Sequence, residues 1–301
     1  YAPEDLDHDN RFRRILQKLD AEVAAEAVIA LQEVDLGWMG KLHVYFAERD
    51  YHVVFAQYGK TFNGYMGVVL AWPKACFEAV DVEISRISDT APKDMWPEKE
   101  KRQLNHFGFV TWEGLKEVLG CGPPSFRSED DGNFSWETAR SRFNEAIFTR
   151  LRIRGCPLGT TFVVSTYHMP CLHTEPKKVR VVNIHSLLLL KKLRDFAGSN
   201  PAVLMGDFNT KPGDSPYYLI ASGGALEAAC KAPSGNAEVQ GIHQCFPADP
   251  PWPAGLESAY RYFHGKEPSF TNYALSKNDT EPFAGTLDYI WFTPGSMSVI
   301  D

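Results

Sequence analysis

Apolar residues recur along the chain with two different spacings, and each spacing predicts a type of element. Between residues 10 and 27 they return every three or four positions, which predicts an amphipathic helix. Residues 28–31 are a continuous apolar run of strand length, followed directly by Gln32 and Glu33. We therefore expect a helix packed on a sheet, with a buried strand that ends near Glu33.

The same two spacings predict the remaining elements. A helix is expected over residues 41–49, strands over 52–57, 64–72, 145–153, 160–168, 202–205, 270–274 and 286–292, and a helix from 216. A long helix is expected over 174–196, with Thr174 as its N-cap and Pro176 in its first turn. Residues 231–255 are expected to be loop.

Residues 85–140 interrupt this pattern. They are polar and rich in proline, and they are predicted to form an insertion with one helix near residues 112–119. Elsewhere, strands joined by hairpins alternate with strands reached through helices. The pattern predicts one domain over residues 1–301, an α/β fold in which two mixed β-sheets are packed together and flanked by helices.

Composition narrows the classes of function. The net charge of −7 argues against a protein that binds nucleic acid through bulk positive charge. The six cysteines form no C-x-x-C pair, which favours reduced, partly buried thiols and a reducing, intracellular compartment, with cytoplasm and organelle both open. No apolar run is long enough for a membrane span. The sequence does not indicate an oligomeric state.

The segment Gly206-Asp207-Phe208-Asn209 follows a short apolar run that predicts a buried strand. Side chains alternate along a strand, so Asp207 and Asn209 are expected to project to the same side. A carboxylate and a carboxamide at the end of a core strand suit a hard cation or a phosphate group. Taken alone, the segment is equally typical of a turn, because Gly, Asp and Asn are ordinary turn residues.

Three more polar residues stand at or inside predicted core strands. Glu33 follows one strand and His168 closes another, while Asp288 lies within an apolar run. A buried carboxylate needs a cation or hydrogen-bond donors. Each residue also has an ordinary alternative: an exposed surface glutamate, a solvated histidine or a hydrogen-bonded aspartate.

Taken in order, these motifs resemble the endonuclease/exonuclease/phosphatase superfamily with its deoxyribonuclease-I-like fold. The motifs are Leu-Gln-Glu-Val at 31–34, His168 after a core strand, Gly-Asp-Phe-Asn at 206–209 and Leu-Asp-Tyr-Ile at 287–290. Phe-Thr-Asn-Tyr at 270–273 is similar to the deadenylase, nocturnin and 2′,5′-phosphodiesterase branch. The resemblance implies a four-layer α/β/β/α sandwich.

The resemblance also implies roles for individual residues. Glu33 is implied as the ligand of Mg²⁺, with Mn²⁺ as the alternative metal. Asp207 is implied to align or deprotonate the attacking water, and Asn209 to hold a phosphate oxygen. His168 is implied to hydrogen-bond the phosphate, and Asp288 to orient a catalytic histidine.

Two motifs of the superfamily are missing from the sequence. The superfamily begins with a strand that carries a metal-site Asn and ends with Ser-Asp-His, whereas this chain starts at Tyr1 and stops at Asp301. Two interpretations stay open: the sequence is a piece of a longer chain, or it is an inactive member that acts as a scaffold in a ribonucleoprotein or protein assembly.

Substrate-binding residues are expected on the strand over residues 145–153. Arg150, Arg152 and Arg154 share one parity and could follow a phosphodiester backbone, and Asn144 lies just before them. A solvated strand face is the alternative. Five aromatic residues are candidates for base stacking or for ordinary packing: Phe62, Tyr65, Trp96, Trp112 and Trp136.

The expected function is that of a Mg²⁺-dependent phosphoesterase, a hydrolase that resembles an RNA 3′-exonuclease (deadenylase-like phosphodiesterase) or a nucleotide phosphatase. Its expected partner is RNA or a nucleotide phosphate. The alternative is the inactive scaffold. A sphingomyelinase- or inositol-phosphatase-like lipid enzyme shares the core motifs, but the segment at 270–273 and the lack of an apolar membrane-binding stretch disfavour it.

Overall fold

The computed structural model describes residues 7–92, 95–96, 134–156, 161–244, 246, 249–275 and 280–300. Its strands are β1 (Ile29–Val34), β2 (Tyr51–Gln57), β3 (Gly67–Pro73), β4 (Phe77–Arg86), β5 (Glu145–Ile153), β6 (Thr161–His168), β7 (Ala202–Asp207), β8 (Glu257–Ser258), β9 (Asn272–Ala274), β10 (Phe283–Gly285) and β11 (Asp288–Phe292). Its helices are α1 (His8–Ala24), α2 (Leu36–Ala47), α3 (Phe134–Ser141), α4 (Pro176–Ala197), α5 (Ser215–Ala221), α6 (Leu226–Ala229), α7 (Gly235–Glu238) and α8 (Ala259–His264). Short 3₁₀ turns cover Thr61–Asn63, Ile87–Thr90 and Ile242–Gln244.

Two sheets carry the fold. Within the described ranges, a six-stranded sheet has the order β4-β5-β6-β7-β11-β8 and a three-stranded sheet the order β1-β3-β2. Among the described strands, only β6 and β7 pair in parallel, so the larger sheet is mixed and the smaller one is antiparallel. Strands β9 and β10 form a separate hairpin. The expected α/β fold with two sheets flanked by helices is confirmed.

Alternation along β3 shows how the layers pack. Val69 faces α1 and α2, while Val68 and Leu70, on the opposite face, pack against Ile147 and Leu151 of the larger sheet. The far face of the larger sheet is covered by α4, whose residues 187–190 are all buried. The apolar residues thus form three cores: helix on sheet, sheet on sheet, and sheet on helix.

Several local predictions needed correction. Strand β4 was not predicted; it is an edge strand whose residues are mostly exposed or half-buried, so its sequence lacks an apolar run. Helix α2 begins at Leu36 because the Asp35 carboxylate accepts a hydrogen bond from the Trp38 amide (2.8 Å). The N-cap of α4 is Glu175 rather than Thr174. The loop predicted over 231–255 contains α7.

Other predictions fall partly outside the described residues. The helix predicted near residues 112–119 lies outside them. Of the described cysteines, Cys156, Cys171 and Cys230 are exposed, so the expected partial burial is wrong for these three, and Cys76 is half-buried. None of the described helices has the length and apolar character that crossing a membrane requires.

The end of β7 depends on a glycine. Gly206 has φ of 149°, and a Cβ atom built there would lie 1.9 Å from the carbonyl oxygen of Tyr167 on β6. Only glycine allows the two parallel strands to approach this closely. The approach sets the register that places Asp207 beside His168.

We predict that Gly206→Ala destabilises the protein by about 3 kcal/mol or more, because it adds both backbone strain and a collision with a main-chain oxygen. Gly265→Ala is the control, since Gly265 also has positive φ (72°) but open space around it, so only about 1 kcal/mol is expected. Urea unfolding of both variants measures the difference. Equal losses would contradict the steric account.

Candidate functional site

Three adjacent strands of the larger sheet bring polar side chains into one row. The register pairs His168 at the end of β6 with Asp207 at the end of β7, and Asp207 with Asp288 at the start of β11. Two main-chain hydrogen bonds fix the row: Met169 N donates to Asp207 O and Phe208 N donates to Leu287 O, both at 2.8 Å. The sheet therefore holds two carboxylates and an imidazole side by side.

Glu33 comes from the smaller sheet. It lies in a bulge of β1, where the register to β3 shifts between Leu31 and Val34, and its φ is 58°. A non-glycine residue in the left-handed region is strained, and such strain is typical of functional positions. The neighbouring Gln32 donates a hydrogen bond to Thr166 Oγ1 of the larger sheet (3.0 Å), which anchors the bulge across the sandwich.

These residues surround an open pocket of about 560 Å³. Glu33, His168, Asp207 and Asn209 all line it, together with the cations Lys60 and Arg142 and the aromatic rings of Phe62 and Phe143. A pocket of this volume, with converging polar groups, is typical of a small-molecule or nucleotide site.

His168 is buried and held by hydrogen bonds on both ring nitrogens. Its Nδ1 lies 2.5 Å from the Tyr58 hydroxyl, and Asn209 Nδ2 lies 3.1 Å from its Nε2. Because the Asn209 amide is a donor there, Nε2 must accept and Nδ1 must donate to Tyr58. Burial lowers the pKa of His168, although the nearby carboxylates of Glu33 and Asp288 oppose this. The imidazole is thus held in one orientation, and burial disfavours its charged form.

Asn209 is oriented by its backbone and by its amide. Its φ of 48° is in the left-handed region, which Asn tolerates better than most residues. Its Nδ2 also donates to the carbonyl oxygen of Met169 (2.9 Å), and its main-chain N–H donates to Asp207 Oδ1 (2.8 Å). Asn209 therefore connects His168 and Asp207 in one network.

Asp207 carries the strongest electrostatic perturbation in the row. Burial raises its pKa to about 7; the neighbouring Asp288 and Glu33 add to the rise, and the hydrogen bond from Asn209 opposes it. In the described part of the chain, no Lys or Arg forms an ion pair with Asp207; His168 Nε2 lies 3.7 Å from Asp207 Oδ2 and would pair with it only when protonated. The charge of Asp207 is thus not offset by any Lys or Arg among the described residues.

Asp288 is held at the edge of the row by Thr271. The Thr271 hydroxyl donates to Asp288 Oδ2 (2.7 Å) and accepts from the main-chain N–H groups of Leu287 and Asp288 (2.9 and 3.0 Å). The role expected for Asp288, orienting a catalytic histidine, stays a prediction.

The structure brings together most of the residues predicted from sequence. Besides the four lining residues above, Asn144 borders the pocket and donates from Nδ2 to the carbonyl oxygen of His168 (2.8 Å). The described residues that line the pocket do not include Arg150 and Arg152. Arg150 bonds the carbonyl oxygen of Phe196 and pairs with Asp81 (3.7 Å), and Arg152 pairs with Glu78 (3.3 Å). Their role in substrate binding stays a prediction.

Other lining residues were not predicted as site residues. Tyr58 and Lys60 follow the end of β2, and Arg142 and Phe143 precede β5. Phe62 was one of five candidates for stacking, whereas Trp136 of that set is buried in the core. Their positions next to strand ends could have indicated them, because these strand ends lie at the same edge of the sandwich.

Comparison with known sequences identifies the family. A sequence model of the Endonuclease/Exonuclease/phosphatase family matches residues 125–301, more than half of the chain. The chain belongs to this family. It is 35% identical over 96% of its length to the CCR4-Not complex 3′-5′-exoribonuclease subunit Ccr4 of Aspergillus niger, but it spans only 42% of that protein.

Solved structures show the same fold at low sequence identity. ANGEL2, a 2′,3′-cyclic phosphatase solved with adenosine-2′,3′-vanadate, matches with a TM-score of 0.61 and 18% identity, over 97% of this chain and 77% of that one. The human Nocturnin catalytic domain with bound sulfate matches with a TM-score of 0.56 and 17% identity, over 94% and 75%. The expected deoxyribonuclease-I-like sandwich is confirmed.

In EDTA, we predict that Asp207→Asn stabilises the protein. The pKa of Asp207 is 3.8 in the unfolded chain and about 7 in the folded protein. The folded protein therefore loses stability as the pH rises through this range, because the carboxyl group ionises more readily in the unfolded chain. The gain from the substitution should therefore grow between pH 4 and pH 7 and level off above it, reaching roughly 4 kcal/mol at most. Urea unfolding at several pH values measures it.

Asp195→Asn is the matched control, because Asp195 is an exposed acid on α4. It should change the stability by less than about 0.5 kcal/mol across the same range. A gain at Asp207 that did not depend on pH would contradict the electrostatic account.

Proposed function

We propose that this chain is the catalytic core of a divalent-metal-dependent phosphoesterase that cleaves a phosphodiester at the 3′ end of RNA or a phosphate ester of a nucleotide. The observation that carries the proposal is the convergence of Glu33, His168, Asp207 and Asn209, from both sheets, on one open pocket. Hydrolysis of a phosphate ester needs an oriented water, donors for phosphate oxygens and compensation of negative charge.

The carboxylates fit a hard cation. Burial and mutual repulsion raise the pKa of Asp207, and a bound cation would offset both effects. The described residues contain no group of three or more His, Cys, Asp or Glu side chains at metal-ligand spacing. Mg²⁺ needs only one or two carboxylates because it retains several waters, so Glu33 is the proposed ligand, with Mn²⁺ as an alternative metal. When bound, the metal would neutralise phosphate charge.

The chain's own residues supply the remaining steps. Asp207 Oδ1 accepts a hydrogen bond from the main-chain N–H of Asn209. This leaves Oδ2 as the oxygen that aligns and deprotonates a water. Asn209 Nδ2 donates to Met169 O and to His168 Nε2. With substrate bound, the Asn209 N–H directed at His168 would turn to a phosphate oxygen, and His168 would donate to a second oxygen after taking up a proton at Nε2. Tyr58 and the Met169 carbonyl keep these two groups in position.

The names of similar proteins agree with this chemistry. Ccr4 is named a 3′-5′-exoribonuclease subunit of the CCR4-Not complex, and ANGEL2 a 2′,3′-cyclic phosphatase. Both activities break a phosphorus–oxygen bond next to a ribose. A scaffold role in a ribonucleoprotein assembly is the alternative, and the experiments below separate it from catalysis.

We predict that Mg²⁺ stabilises the folded chain through Glu33. At a concentration roughly a hundredfold above its Kd, the free energy of unfolding should rise by about 2.7 kcal/mol. Glu33→Gln keeps the shape of the side chain but removes its charge and one of its two acceptor oxygens, so the increase should be lost. Thermal unfolding with and without Mg²⁺ is the measurement, and an equal increase in both proteins would refute the assignment of Glu33.

We also predict Mg²⁺-dependent release of AMP from oligo(A). Asp207→Asn and Glu33→Gln should each lower the rate at least about 100-fold, because one removes the base and the other the metal ligand. Asp195→Asn, on the exposed face of α4, should leave the rate unchanged. Metal-dependent stabilisation without hydrolysis of oligo(A) or of nucleotide phosphates would favour the scaffold.

A further inference from the structure

The pocket has a second part that the reaction proposed above does not use. Two loops border it: residues 58–66 between β2 and β3, and residues 142–144 between α3 and β5. Each loop supplies a cation and a phenyl ring. The two loops meet, because Lys60 Nζ of the first lies 5.1 Å from the centre of the Phe143 ring of the second.

The first loop is held by hydrogen bonds within itself. Gly59 N donates to Met66 O (2.8 Å), and Lys60 N donates to Asn63 Oδ1 (2.7 Å). The loop therefore does not need the Phe62 ring for its stability, and that ring is 86% exposed. Because the ring lines the pocket and packs against no core residue among those described, it is available to stack on a ligand.

The second loop is fixed in a similar way. The carbonyl oxygen of Arg142 accepts from Arg86 Nε (2.8 Å) and from Ser88 Oγ (3.0 Å). The Arg86 guanidinium also lies 4.7 Å from the Phe143 ring centre. These contacts hold the backbone and one ring, and they leave the Arg142 side chain on the pocket wall.

Neither pocket cation is neutralised within the described part of the chain. Lys60 contacts the Phe143 ring and Arg142 contacts no carboxylate, whereas Arg150 and Arg152 on the neighbouring strand pair with acids. Arg and Lys beside a pocket without carboxylate partners are available for an anion, and Arg suits phosphate through its fork of donors. The pocket therefore has separate acidic and basic parts.

We propose that Lys60, Arg142 and Phe62 form a nucleotide subsite. Lys60 and Arg142 bind a second phosphate of the substrate, and its base stacks on Phe62. This rests on the proposed function, in which the reacting phosphate lies at Asp207 and Asn209. The substrate class that follows is a nucleotide or oligonucleotide with a base and at least two phosphates, rather than a sugar phosphate or another ester with one phosphate.

Calorimetric titration of Asp207→Asn in Mg²⁺ tests the subsite, because this variant leaves the ligands intact. The probes are adenosine 3′,5′-bisphosphate, AMP and pyrophosphate. The bisphosphate should bind at least about tenfold more tightly than AMP, since a charge-assisted contact to phosphate is strong. Adding Lys60→Ala and Arg142→Ala should reduce this ratio to below about threefold. A ratio that both substitutions leave unchanged, or that is already small, would overturn the proposal.

Phe62→Ala tests the contact to the base independently of the contacts to phosphate. It should weaken binding of the bisphosphate about fivefold or more and leave binding of pyrophosphate, which has no base, unchanged. Phe263→Ala, at another exposed ring, and Lys231→Ala, at another exposed cation, are the matched controls and should change neither. Equal effects of Phe62→Ala on both probes would contradict stacking.

Turnover by the unmodified chain distinguishes the two proposals. If the chain with Mg²⁺ hydrolyses none of these compounds nor oligo(A), yet the tenfold ratio and its loss are observed, the subsite stands and the hydrolase fails. If it hydrolyses oligo(A) but Lys60→Ala with Arg142→Ala leaves both KM and kcat unchanged, the subsite fails.

Discussion

The whole site depends on how closely β6 and β7 approach each other at Gly206. The Tyr167 carbonyl occupies the space that a side chain would take, and this contact fixes the parallel register. The register puts His168 beside Asp207, and the antiparallel pairing on the other side puts Asp288 beside it. A slip of one residue would turn each side chain to the opposite face. The position of three polar groups therefore follows from one steric constraint.

That arrangement costs folding free energy. Folding buries Asp207 near two other acids, which raises its pKa and disfavours its charged form in the folded chain. The sandwich offsets it with packing elsewhere: β3 is buried on both faces, and α4 covers the larger sheet with consecutive leucines. The apolar layers thus support a polar site that would not be stable alone, as expected where function and stability conflict.

Much of the fold could be predicted because its main strands are apolar runs bounded by polar residues. Edge strand β4 could not, since half of its side chains are exposed and its order along the sheet follows from pairing with β5. The motifs around Glu33, His168 and Asp207 were visible because a polar residue directly after a core strand is unusual. By contrast, Lys60 and Arg142 lie in loops, where cations are common, and only the folded chain shows that both line the pocket.

Sequence alone also could not show which residues Arg150 and Arg152 contact. Their shared parity correctly puts them on one face of β5, but parity does not reveal which neighbours that face meets. Acids on β4 lie directly opposite in the register, with Asp81 across from Arg150 and Glu78 across from Arg152. Cross-strand pairs of opposite charge stabilise a sheet, so these cations already have partners where they stand.

Backbone strain occurs around the pocket independently of charge. Five described non-glycine residues have positive φ; Glu26 and Asp50 follow helices, where such turns are ordinary, while Glu33, Tyr65 and Asn209 lie in or beside the pocket. Strained residues persist only where their surroundings hold them, and each of these three has such support. Gln32 anchors the bulge, Thr61 binds the Tyr65 hydroxyl (3.0 Å), and Met169 holds the Asn209 amide. Positive φ thus occurs both beside the acidic row, at Glu33 and Asn209, and in the loop that carries Lys60, at Tyr65.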